Sequence, residues 1–302
     1  MTRPVDTATD RATALDAMFK MPRHRRYFNV SVLWVAYFPS VVRLLLAARV
    51  RHEVVTVLSI LSGLAAAWLI GATGAYATLL VAAMLVHGRD VLDACDGSLA
   101  RLTGTGHRLG RFLDTIGDGV VLTALVVAIA MRATGAGAPV GTTIVWAVTA
   151  WMSMFMQCSY FNYYQLHYVM RSGRASMSRL DERSVPEDQS AGGLTRAMAW
   201  LYLAWFGWQD RLMAWIDDRG RAAIGLGGSA LDPRCDRWFE DRRWLSANSP
   251  LCIGTHLFAL ILCLLAAHPA WFFPAVAVGM NLYWAIIVAM RVADFRGNLG
   301  SR

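Results

Sequence analysis

Residues 93–118 read D-A-C-D-G-S-L-A-R-L-T-G-T-G-H-R-L-G-R-F-L-D-T-I-G-D. The stretch holds four carboxylates, Asp93, Asp96, Asp114 and Asp118, and lies between apolar runs long enough to cross a bilayer. Acids at a membrane edge are costly unless they bind cations or pair with basic groups. Asp93, Asp96, Gly97 and Ala100 fall at i, i+3, i+4 and i+7, which puts them on one face of a helix. Asp114 and Asp118, at i and i+4, share a face of the next helix, with Gly110 one turn before them. The short polar loop between predicts an antiparallel pair whose acidic faces meet. Oxygen ligands without His or Cys suit a hard cation such as Mg²⁺ or Mn²⁺. Four carboxylates suffice for two such ions about 3.5–4 Å apart, a clamp for a phosphoryl group. Gly97 leaves room for a phosphate or a base against the helix, and Arg101 offers a fork that suits phosphate oxygens. The competing reading pairs the acids with Arg89, Arg101, Arg108 and Arg111 in a solvated loop. Four acids in this register, at the ends of two spanning helices, favour the cation site.

The pattern D-x2-D-G-x2-A-R-x8-G-x3-D-x3-D resembles the signature of the CDP-alcohol phosphotransferases, matched at Asp93, Asp96, Gly97, Ala100, Arg101, Gly110, Asp114 and Asp118. Eight fixed positions over about 26 residues are far more specific than a lone glycine motif. The resemblance covers about residues 50–135. It implies a membrane enzyme in which an acceptor alcohol displaces CMP from a CDP-alcohol. It implies two Mg²⁺ or Mn²⁺ ions held by the four Asp, with Asp118 also acting as general base. Thr56 matches a family Thr that helps hold the CDP, together with Gly97, Ala100, Arg101 and, near the nucleotide, His107. Family members usually carry Pro-Asn just before that Thr; this chain reads His52-Glu53. A homodimer is the expected assembly.

Working outward, composition agrees with a membrane protein. The 302 residues are 56% hydrophobic with mean hydropathy +0.39, too apolar for an ordinary soluble domain. The charge of +8 fits an anionic lipid surface and phosphorylated substrates better than nucleic acid. Five cysteines without C-x-x-C spacing read as reduced core residues. The expected fold is an all-α integral membrane protein of about six transmembrane helices, with an N-terminal interfacial helix and a cytosolic insertion before the fifth span. Residues 1–53 are read as a cytosolic tail and interfacial helix, without a signal-peptide pattern. Residues 27–50 carry Pro39 and Arg43, so an interfacial helix is favoured over a span. Residues 54–170 hold spans one to four, near 54–71, 76–101, 110–131 and 142–165, with the motif between the second and third. Residues 171–248 form the insertion, with one amphipathic helix lying on the membrane at 194–216 and a charged segment at 217–247. Residues 249–302 hold spans five and six, near 250–267 and 271–290, and the C-terminal tail.

On this topology the outer turns, near 71–76, 132–141 and 268–270, carry only Arg132, so the opposite, basic side is cytoplasmic. That side is also where Thr56 and the four acids fall. The protein is therefore expected in a bacterial-type inner or cell membrane with its active site facing the cytoplasm. Asp90 is read as a partner for Arg89, and His87 as a packed or substrate-proximal side chain. For the acceptor, Arg108, Arg111, Asn162 and Tyr163 are candidates; the tyrosines of the fourth span fit an aromatic belt equally well. Basic residues around the site lean towards CDP-diacylglycerol with an anionic alcohol. The alternatives are a soluble CDP-amino alcohol with a lipid acceptor or, from another class, a divalent-cation transporter.

Overall fold

A computed structural model of the chain describes residues 18–21, 23–72, 75–171 and 192–300. Most of the N-terminal tail, the turn residues Thr73 and Gly74, and Arg174, Arg179, Arg183 and Pro186 of the insertion lie outside the described residues. Among the described residues every regular element is helical.

Three helices are long and apolar enough to cross a membrane: α2 (His52–Ala72), α4 (Arg108–Gly135) and α11 (Pro269–Gly297). The expectation of six spans is met only in part. Two further long helices, α3 (Tyr76–Thr103) and α5 (Val140–Arg171), fall short of that apolarity. The last turns of α3 are given to acids and those of α5 to Tyr, Gln and His. The expected fifth span is also different. Its apolar helix, α10 (Ile253–Leu265), has 13 residues. That is about 20 Å, against about 30 Å of hydrocarbon. It reaches crossing length only with Arg242–Leu251, across a 42° bend. Pro250, which cannot donate to a helix ladder, precedes the bend. The α11 segment runs past its expected end and contains a π-helical turn over Ala275–Met280.

Residues 27–50 hold no helix long enough to span. They contain α1 (Phe38–Ala47), with Pro39 in its first turn, where a missing N–H costs nothing. Ten residues reach about 15 Å, half a bilayer core. Phe38 and Val42 are buried with Val55, Val91, Cys95 and Leu99, while Arg43 and Leu44 face outward.

The predicted packing of the two acid-bearing helices on each other needs correction. Both α3 and α4 pack along α2 and touch one another only sparsely. The α2 surface explains this. Ser59 and Ser62 donate to the α3 carbonyls of Arg89 and Leu85 at 3.1 and 2.9 Å. On the other side, Gly63 lets the buried, β-branched Val121 of α4 come so close that a Cβ there would collide with it. Small residues and hydroxyls bring helices together where lipid gives no hydrophobic drive.

The single amphipathic helix expected at 194–216 is two helices, α6 (Gly193–Trp205) and α7 (Gly207–Ala222), broken at Phe206. One side of the pair packs on the protein, while Leu194, Trp200 and Trp215 stay exposed. Trp205 and Phe206 of this break lie against Gly119 of α4. Gln209 accepts from Ser159 of α5 at 2.6 Å. The charged segment at 217–247 is not simply solvated either, since Asp217 is buried. Its carboxylate accepts from Tyr164 (2.7 Å), Tyr163 (3.3 Å), Trp238 (2.8 Å) and Arg221 (2.7 Å). Gln157 joins α5 to His256 of α10 and Asn281 of α11, each at 2.7 Å, so both isolated polar residues are satisfied by a neighbouring helix.

Gly63→Ala should lower stability by about 1–3 kcal/mol, the usual cost of overpacking. Thermal unfolding in detergent measures it, and adding Val121→Ala in the same chain should recover most of the loss.

Candidate active site

The last turns of α3 and the first turns of α4 meet at the floor of a cavity of about 1130 Å³. The loop between them, Gly104–His107, turns at Gly104, whose φ of 64° is left-handed and suits a residue without Cβ. Asp93, Asp96, Asp114 and Asp118 all line the cavity. Carboxylate oxygens of Asp93, Asp114 and Asp118 lie within 4.8 Å of one another. Three charged oxygen ligands at that spacing fit a hard dication. Asp96 stands apart from this group. It is buried, and its Oδ2 accepts from the Thr56 hydroxyl at 2.7 Å, which also donates to the His52 carbonyl. Thr56 therefore orients an acid of the site.

Arg89 enters the site, as the competing reading of the sequence had it. Reading it as the partner of Asp90 is incorrect: its guanidinium pairs with Asp118 and lies 3.6 Å from Asp93. Asp90 instead accepts from the Trp34 indole at 2.8 Å. That indole stacks on Phe258, so Asp90 ties the N-terminal segment to the bundle. The Arg89–Asp93 spacing of i, i+4 is a signal in the sequence. Asp118, 29 positions away, is not legible there.

Gly97 faces Arg101, whose Nη1 is 3.3 Å from where a Cβ would stand. The Arg101 guanidinium donates to the Met18 carbonyl at 2.8 Å and to Ser98 at 3.1 Å, and the residue lines the cavity with Ala100. His107 is the N-cap of α4, accepting from the Gly110 amide at 2.9 Å through Nδ1. A neutral ring that accepts at Nδ1 carries its proton on Nε2. That nitrogen faces Glu53 at 3.5 Å, and Glu53 also faces His52 at 3.4 Å. His52, Glu53 and His107 thus form a polar latch, their ligand atoms within 4.8 Å of one another.

Of the acceptor candidates, Arg111, Asn162 and Tyr163 line the cavity, but Arg108 is not among its lining residues and stands over the Phe112 ring. Tyr202, Phe206 and Asp210 of the insertion complete a wall that sequence reasoning missed. His87 is bound by the Tyr37 hydroxyl at 2.6 Å and is not among the lining residues. Lys20, also missed, lines the cavity and donates to Gln165 at 2.9 Å. The residue is solvent-exposed, and desolvation by the protein around it and then the nearby Arg101 lower its pKa from 10.5 to about 8.

A family model described as CDP-alcohol phosphatidyltransferase matches residues 50–216, more than half of the chain. No curated protein matches it.

In the absence of nucleotide, Asp114→Asn should weaken Mn²⁺ binding by at least about tenfold, because affinity follows the number of charged ligands. Asp96→Asn, outside the group of three, should weaken it far less. Calorimetric titration of the purified protein compares the two.

Proposed function

The chain belongs to the CDP-alcohol phosphatidyltransferase family, and from that premise we propose that it moves a phosphatidyl group from CDP-diacylglycerol to an anionic alcohol. CMP leaves, and the product is a phospholipid made at the cytoplasmic face of the membrane. The observation that carries this reading is the group of three carboxylates on the cavity floor, with Asp96 and Arg101 beside it.

Asp93, Asp96, Asp114 and Asp118 are the residues that would hold Mg²⁺ or Mn²⁺. Bound there, two such ions would withdraw charge from the phosphorus under attack and from the departing CMP. The chain's own residues do the rest. Arg101 meets phosphate oxygens beside Gly97, where the absence of a Cβ lets a ligand approach the helix. Thr56 holds Asp96 in place, and His107 holds the start of α4. Asp118 takes the proton of the acceptor hydroxyl. Positioning of the acceptor and donor carries most of the rate.

Lys20 and Arg111 make the cavity side of the site basic, which favours an anionic acceptor such as a sugar or polyol phosphate. Tyr163 and Tyr164 give their hydroxyls to Asp217 and so hold α7 against α5.

The test is CMP release by purified protein with Mg²⁺, CDP-diacylglycerol and a panel of acceptors. Asp118→Asn should abolish turnover and keep nucleotide binding. Full activity in that variant removes the base assignment, and dication flux without CMP release would point to transport. The acceptor KM should rise above about pH 8, as Lys20 loses its proton. Lys20→Gln should flatten that pH dependence at a high KM.

A further inference from the structure

Arg89 is not part of the aspartate pattern, yet its guanidinium sits inside the carboxylate group. The residue is 1% exposed. Among the described residues its ion-pair partners are Asp93 and Asp118. Its Nε and Nη1 are buried without a hydrogen-bond partner among those residues. A guanidinium has five N–H donors on three nitrogens, and here only Nη2 is seen to donate. Here the charge itself is what the surroundings use, and a buried charge is tolerated only where opposite charge compensates it.

Charge counting then gives a consequence. The four acids carry four negative charges, and Arg89 cancels one. A first dication leaves the group at minus one, whereas a second would leave it at plus one in a largely buried place. The second is also repelled by the guanidinium itself. A diphosphate brings about two further negative charges and reverses that balance.

We propose that Arg89 is a resident counter-ion that makes cation uptake sequential. The carboxylates take one dication unaided, and they hold a second only together with the diphosphate of the donor. This rests on the phosphatidyltransferase reading of the same site. Arg89 is a positioning residue in this scheme: it sets the charge of the group and touches no substrate.

The experiment counts Mn²⁺ bound to the full-length protein in detergent, by equilibrium dialysis with paramagnetic resonance detection, with and without CDP. Unbound Mn²⁺–CDP is subtracted. Wild type should hold one ion per chain without CDP and two with it. Arg89→Met should hold two without CDP, the second at least about tenfold tighter than in wild type. Arg89→Lys, which keeps the charge, should return the count to one. A merely structural arginine would not change the count in this way. Two tight ions on wild type without CDP, or a single ion on folded Arg89→Met, overturns the proposal. If Arg89→Met does not fold, Arg89→Gln replaces it, and the wild-type count decides by itself. Wild type that binds no Mn²⁺ in either state overturns the metal reading and this proposal together. One ion in both states, with CMP release intact, overturns this proposal alone.

Discussion

Mutual repulsion of Asp93, Asp114 and Asp118 is the constraint on which the rest of the structure depends. Two unit charges about 5 Å apart at an effective dielectric of about 20 repel by about 3 kcal/mol. Three carboxylates within 4.8 Å of one another are therefore costly to hold together unless positive charge is supplied among them. Arg89 supplies part of it from within the chain, and the residues present suit a dication for the remainder. A site built this way is under electrostatic tension that a cation relieves. That is the property required to grip a diphosphate and to stabilise the charge that grows on a departing nucleotide.

Holding such a group needs rigid supports, and α2 is the main one. It lies against both acid-bearing helices, tied to α3 by Ser59 and Ser62 and fitted to α4 at Gly63. Thr56, on the same helix, reaches Asp96 directly. One helix thus sets the separation of the two others and orients one of the acids. The latch of His52, Glu53 and His107 closes its N-terminal end onto the start of α4.

Helices α6 and α7 line the cavity. Buried Asp217 gathers hydroxyl, indole and guanidinium donors from α5, from α7 and from Trp238, which fixes α7 against the bundle. The preceding break at Phe206 puts Tyr202, Phe206 and Asp210 along the cavity. On the proposed reading, the acceptor would face α5, α6 and α7, and the nucleotide would face α2, α3 and α4.

Helix periodicity alone determined which acids share a face and where the long helices lie, because backbone hydrogen bonds close within four residues. The fold class and the four aspartates were legible for that reason, and so was the i, i+4 relation of Arg89 to Asp93. Tertiary structure alone decided that α2 stands between the acid-bearing helices, that Arg89 reaches Asp118, that Asp90 turns to Trp34, and that the amphipathic stretch breaks and folds onto α4 and α5. Lateral packing in an apolar medium is settled by close approach of small residues and by polar partners drawn from any helix. The spacing along one segment carries no record of that choice.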